Sequence, residues 1–148
     1  MKSVTEWFDE YSESHQNATN KAIHWVCVPA ILFSIIGILA QFNAMLTALI
    51  IVLTLVFYAR MDLVLAVAMA ALLFVMAWLI LILPFGKGFY IGVFVVAWVG
   101  QFYGHKVEGK KPSFFKDLQF LLIGPVWCMD AYLAKLLPNW KSRQKAAV

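Results

Sequence analysis

Charge is what this sequence has least of. Only twelve of its 148 residues are Lys or Arg and eight are Asp or Glu, 14% in all, where a soluble domain usually carries about 25%. Hydrophobic residues make up 63%. They come in long runs rather than at amphipathic spacing, which excludes a water-soluble globular domain. No glycine-rich phosphate loop, dinucleotide fingerprint or nucleophile elbow occurs, so nucleotide-dependent and serine-hydrolase chemistries have no machinery here. Histidine is scarce as well. The three present, His15, His24 and His105, are too few for the clustered histidine boxes of membrane di-iron hydroxylases and desaturases. Any metal chemistry must manage with one ion.

What is there is a set of apolar runs. Four are read as membrane spans, at residues 22–40, 44–59, 63–83 and 88–104, within one membrane domain over 1–148. A helix rising about 1.5 Å per residue needs roughly 20 residues to cross the hydrocarbon. The short punctuation between runs (Gln41-Phe42-Asn43, Arg60-Met61-Asp62 and Pro84-Phe85-Gly86-Lys87) forces neighbouring spans to be antiparallel. Residues 1–21 hold four acids and no apolar core with a cleavage site, so they do not read as a signal peptide. Val4, Trp7, Phe8 and Tyr11 instead fall on one helical face, an amphipathic helix able to lie on the bilayer surface. Leu118–Leu137 is apolar enough for a fifth span. Gly124-Pro125, Asp130 and the basic tail favour an interfacial or re-entrant helical pair over 114–137, broken at Gly124-Pro125. The fold expected is all-α, a polytopic membrane bundle.

With four spans, eleven of the twelve basic residues share the side of both termini, and Lys87 alone lies opposite. That asymmetry puts both termini in the cytosol, at a bacterial inner membrane or, in a eukaryote, the endoplasmic reticulum. Orientation and anionic headgroups account for the basic residues, so no nucleic-acid partner is implied. Lys110 and Lys111 could also steer a carboxylate. Cys27 and Cys128 belong to the reducing side and read as free thiols. Cys27, one turn beyond His24, reads as a small packing residue before a soft ligand. Trp25, Trp98, Tyr103 and Trp127 suit an aromatic belt at the headgroups. Gly100 and Gly104 form a close-packing pair whose face Gly92 shares.

An even number of crossings has a consequence for the histidines. His15 and His24 flank the start of the first span and His105 follows the fourth, so all three reach one membrane face. Asp62, at the second turnaround, joins that layer. Glu108 follows His105 by three positions and shares its face if the helix continues. His15 and His24, nine apart, converge only if the chain breaks between them. Asn17-Ala18-Thr19-Asn20 offers that break, and Pro29 a kink beyond it. Three imidazoles with a nearby carboxylate suit a divalent first-row metal with open coordination positions. A polar-interface role for each histidine separately is the plain alternative. A bis-histidine haem protein and a non-enzymatic transporter or assembly factor are the other readings, though transporters place ionisable groups at mid-membrane, where these runs have none.

The pattern Tyr11-x3-His15-x4-Asn20-x3-His24-x4-Pro29, followed by Gln101-Phe102-Tyr103-Gly104-His105-x2-Glu108-x3-Pro112, resembles the membrane 2-hydroxy fatty acid dioxygenase family, which acts in α-oxidation during phytosphingosine breakdown. The likeness runs from Tyr11 to about Asp130. It implies an Fe(II) cofactor and conversion of a long-chain 2-hydroxy fatty acid and O2 to the acid one carbon shorter, CO2 and water. All four electrons come from the substrate, in keeping with the missing nucleotide motifs. It further implies His15, His24 and His105 as functional positions, with Glu108 among the second-rank candidates; on placement, Glu108 or Asp62 would be the carboxylate ligand or the partner orienting an imidazole. Asn20, Gln101 and Tyr11 follow as site residues. The sequence departs from the family pattern at Cys27, where glycine is usual, and at Asp130, where glutamate is.

Overall fold

The computed structural model describes residues 2–109 and 120–143. Lys110, Lys111, Pro112 and the first part of the expected 114–137 segment lie outside them. Every element among the described residues is a helix: α1 (Val4–Ser12), α2 (Ala18–Phe42), α3 (Ala44–Met61), α4 (Leu63–Ile82), α5 (Lys87–Glu108) and α6 (Ile123–Leu136). Of these, α2, α3 and α4 are long and apolar enough to cross a membrane. α5 matches them in length, at 22 residues, but carries Gln101 and His105 inside it.

Single residues make the first two turnarounds. Asn43 ends α2 and caps α3 by accepting from the Leu46 amide at 3.0 Å; Asp62 does the same between α3 and α4, accepting from Leu65 at 2.9 Å. Both are extended backbone with a short polar side chain, the combination that satisfies a helix's first amides. α2 and α5 then pack antiparallel along their whole length. Gly104 faces Asn20 and His24, Gly100 faces the Cys27 thiol, and Gly37 faces the Tyr90 ring. A Cβ at any of the three would clash with the neighbour, so glycine sets this spacing. Gly92 does not share that face, since a Cβ there meets nothing within 4 Å. Eight residues turn a helix about 80° past full turns, which carries Gly92 off the seam.

The core joins an α4 stripe (Leu65, Met69, Leu73, Met76) to Val28, Leu32 and Ile36 of α2, with Val126, Trp127 and Cys128 of α6. Much of α3 faces outward with Met45, Leu49, Val52, Leu53 and Val56 exposed, a surface suited to lipid rather than water. The apolar stripe of α1 turns inward instead of onto a bilayer: Phe8 is fully buried and Tyr11 packs on Trp127. Trp98 and Trp127 are likewise interior, so they are not belt residues. Trp127 donates to the Ser12 hydroxyl at 3.0 Å, tying α6 to α1.

Gly124-Pro125 does not split a helical pair. It lies in the first turn of α6, where proline costs no hydrogen bond because those amides have no intrahelical acceptor. α6 is clasped to α2 at a point that Pro29 creates. α2 runs through Pro29 without a break, and the missing proline N–H leaves the Trp25 carbonyl without its helical donor. The Tyr132 hydroxyl of α6 donates there instead. Cys128 points its thiol at the His24 carbonyl next to it, 3.8 Å away.

Asp130, fully buried in α6, gathers the chain that follows: it accepts from Trp140 Nε1 (3.1 Å), Ser142 Oγ (2.6 Å) and the Arg143 amide (3.1 Å). Arg143 then pairs with Asp62 at 2.7 Å. Asp130→Ala would remove the acceptor of three hydrogen bonds, one of them from the exposed Ser142, and is expected to cost about 2 kcal/mol. Thermal unfolding in detergent checks this; an unchanged Tm would mean the strap contributes nothing.

Candidate metal centre

His15, His24 and His105 meet at one end of the α2–α5 pair. His15 sits in the short connection that follows α1. Asn17 opens α2 by accepting from the Thr19 and Asn20 amides, and this break turns His15 back towards His24. His105 reaches the same level because α5 returns antiparallel and continues to Glu108. It stops at Gly109, whose φ of 74° is the left-handed end that glycine adopts without strain.

The ring centroids are 4.3 Å apart for His15–His24, 4.9 Å for His24–His105 and 5.3 Å for His15–His105. All three side chains are buried, and one ligand nitrogen from each lies within 4.8 Å of the others. Nitrogens bound to one ion at about 2.1 Å stand roughly 3–4 Å apart, so a small inward turn of the rings suffices. The donor set also fits. His15 Nδ1 lies 2.6 Å from the Tyr11 carbonyl and His24 Nδ1 lies 3.0 Å from the Asn20 carbonyl. A carbonyl only accepts, so each Nδ1 carries the proton and each Nε2 the lone pair, the arrangement that orients a metal-ligating histidine. Tyr11 stacks on His15 at 4.2 Å and fixes the plane of the ring.

The carboxylates stand elsewhere. Glu108 Oε1 accepts from the Gln16 amide (2.9 Å), and Oε2 accepts from the Asn17 amide (2.9 Å) and Asn20 Nδ2 (3.0 Å). Partial burial alone would raise the Glu108 pKa; the bonds from Asn20, Asn17 and Gln16 outweigh it and hold the acid below the ordinary carboxylate range. Glu108 therefore works as a clasp, tying the His15 connection and Asn20 to the end of the His105 helix. With a folded-state pKa below the unfolded one, the clasp stabilises above the ordinary carboxylate pKa. It weakens as pH falls through the lowered value. Asp62 is engaged as the α4 cap and the Arg143 partner, outside the three-histidine group.

Asn20 and Gln101 are both buried. Asn20 donates to Glu108 and to the Ser14 carbonyl. Its Oδ1, like Gln101 Oε1, has no hydrogen-bond partner among the described residues. A buried acceptor left so costs about 1–3 kcal/mol, which a bound donor would relieve. Gln101 lies one turn before His105 and borders a small cavity with Tyr11, Trp98 and Val28. Cys27 packs against Gly100 and stands outside the histidine group. Sequence reasoning missed Ser12, Trp127, Cys128 and Tyr132 as supports of the site. Only Pro29, which must leave a carbonyl in want of a donor, signalled any of them.

A family model described as "2-hydroxy-palmitic acid dioxygenase Mpo1-like" matches residues 1–136. The 2-hydroxy-palmitic acid dioxygenase MPO1 of Saccharomyces cerevisiae is 34% identical over 145 residues, covering 89% of this chain and 82% of the yeast protein. No solved structure matches. The chain belongs to the Mpo1-like family.

Proposed function

From membership of that family, we propose that this protein is a membrane-embedded 2-hydroxy fatty acid dioxygenase. It converts a long-chain 2-hydroxy acid and O2 to the acid one carbon shorter, CO2 and water, with Fe(II) held by His15, His24 and His105. The observation that carries the reading is the meeting of three buried histidines, two with their tautomer set by backbone carbonyls, at the end of an apolar bundle. Iron held there would supply the one-electron chemistry that O2 needs to react with a closed-shell acid.

The rest falls to the protein's own residues. His15, His24 and His105 form one wall, leaving the opposite side for the polar end of the substrate. Gln101 Oε1 accepts from the substrate's 2-hydroxyl and so selects a 2-hydroxy acid over a plain fatty acid. Tyr11, Trp127 and Phe120 exclude water around the His15 side. Glu108 holds the three ligand-bearing segments together without touching the reacting atoms.

The bundle crosses the bilayer four times in this account. α5 spans about 33 Å and lies antiparallel along α2, so it traverses whatever depth α2 does. The histidines then sit at the cytosolic boundary, where an amphiphilic acid already presents its headgroup. A haem reading fits poorly. Rings 4.3–5.3 Å apart, edge to face, leave no space for a macrocycle between two axial ligands.

The reaction is tested by loading purified protein anaerobically with Fe(II), adding 2-hydroxypalmitate and O2, and analysing fatty acids by mass spectrometry. Pentadecanoate is expected, and its absence would refute the assignment. Glu108→Ala is expected to weaken Co(II) affinity about 10-fold to 100-fold, with Glu108→Gln recovering most of it. Competition against a chromophoric chelator reads both. Unchanged affinity in the alanine variant would remove the clasp role.

A further inference from the structure

At Gln101, one helical turn before His105, begins a series of neighbouring apolar spaces with no assigned role. Its first part is the cavity bordered by Gln101 and Tyr11, with Leu32 and Leu121 in its wall. Those two residues also border a second space between α2 and α3, where Ile36, Thr47 and Ile51 are in turn shared with a third. The third ends among Ala40, Ala44, Ala48 and Ala77. The three widen from about 30 to about 90 and about 230 Å³ away from the histidines. The α2 wall is one stripe, Val28 to Ala40 at i, i+3, i+4 spacing, and α3 answers with Thr47, Ile50, Ile51 and Thr54. The gap exists because α3 is the least packed of the three apolar helices, 11% buried against 39% for α2.

We infer that this α2–α3 cleft holds the alkyl chain of the substrate, and that the small residues at its far end set chain length. This rests on the reaction proposed above. Two observations point to an amphiphile rather than to loose packing. The cleft starts at Gln101, a buried amide whose Oε1 has no partner among the described residues, and continues with apolar walls. Its length also fits. Val28 to Ala40 covers about 18 Å of helix, and an extended chain advances about 1.2 Å per bond, so about fifteen methylenes reach the end.

A competing groove runs between α2 and α5, bordered by Cys27, Gly92 and Val96. It starts at no unpaired polar group, and the experiment separates the two. Full-length protein in nanodiscs is photolabelled with 2-hydroxypalmitate carrying a terminal diazirine, and adducts are mapped by peptide mass spectrometry. Adducts within 36–51 or 77–81 are expected; adducts confined to 88–97 overturn the proposal. Turnover across C10 to C20 2-hydroxy acids gives the second arm. Ala48→Phe and Ala77→Phe are each expected to lower C16 conversion about tenfold while keeping C10 or C12, and Val96→Phe is expected to leave the profile unchanged. Retained short-chain activity shows the variants are folded, and an unaltered C16 preference in both refutes the cleft. If wild type turns over no 2-hydroxy acid of any length, the reaction reading fails, and the photolabel still decides the cleft on its own.

Discussion

His105→Ala is expected to lower bound Fe(II) from one ion per chain to a small fraction of that, and turnover by about a thousandfold. Structural metal sites bind with roughly 10–16 kcal/mol spread over their ligands, so one imidazole is worth about 3–4 kcal/mol. The same holds for His15 and His24, which are as buried and as close. The informative variant is the double one. Groups that act as a unit lose their function together, so His15→Ala with His105→Ala should be scarcely worse than either alone. If each histidine served only as a polar residue at an interface, the single effects would be small and would add. Metal analysis of the four proteins distinguishes the cases.

Gly104→Ala is the second large effect, and it works without removing a ligand. A Cβ at Gly104 would lie 2.3 Å from Asn20 Oδ1 and 3.2 Å from His24 Cε1. Neither neighbour has slack. Asn20 is held by Ser14 and Glu108, and His24 by the Asn20 carbonyl. One methyl must therefore either part α2 from α5 or break the clasp, an overpacking cost of about 1–3 kcal/mol or more. Metal affinity should fall with it, because the His24–His105 spacing is the distance being forced. Gly92→Ala is the control on the same helix. With nothing within 4 Å of its Cβ, it should raise Tm slightly, since alanine is favoured over glycine in a helix by about 1 kcal/mol. A Gly104→Ala protein with wild-type Tm and metal content would contradict the packing account.

How much of this was legible in the sequence depends on whether a signal is local. The helical runs were, because crossing hydrocarbon is a matter of composition over about 20 residues. The break at Asn17 was legible because capping is chemistry between near neighbours. That α5 returns His105 to the level of His24 follows from short turnarounds. Partners distant in sequence left no such trace. Asp62 looked like part of the histidine layer, yet it is taken up by Leu65 and Arg143. Trp98 and Trp127 looked like headgroup residues, yet they are interior, because an aromatic near the end of a run carries no mark of which way it faces. The Asp130 strap and the Tyr132 tether join residues 10 to 107 positions apart. Glu108 was legible as a carboxylate beside His105, while its three donors, 88 to 92 residues away, were not.

Three imidazoles sharing one iron leave a spectroscopic signature. X-ray absorption at the iron edge of the Fe(II)-loaded protein counts them directly, since imidazole rings add a multiple-scattering pattern to their nitrogen shell. Nitrogen and oxygen neighbours at about 2.0–2.2 Å are expected with scattering from three imidazoles, falling to two in whatever iron His105→Ala retains. A sulfur neighbour at about 2.3 Å from Cys27 or Cys128, or the same imidazole count with and without His105, would contradict three-histidine ligation.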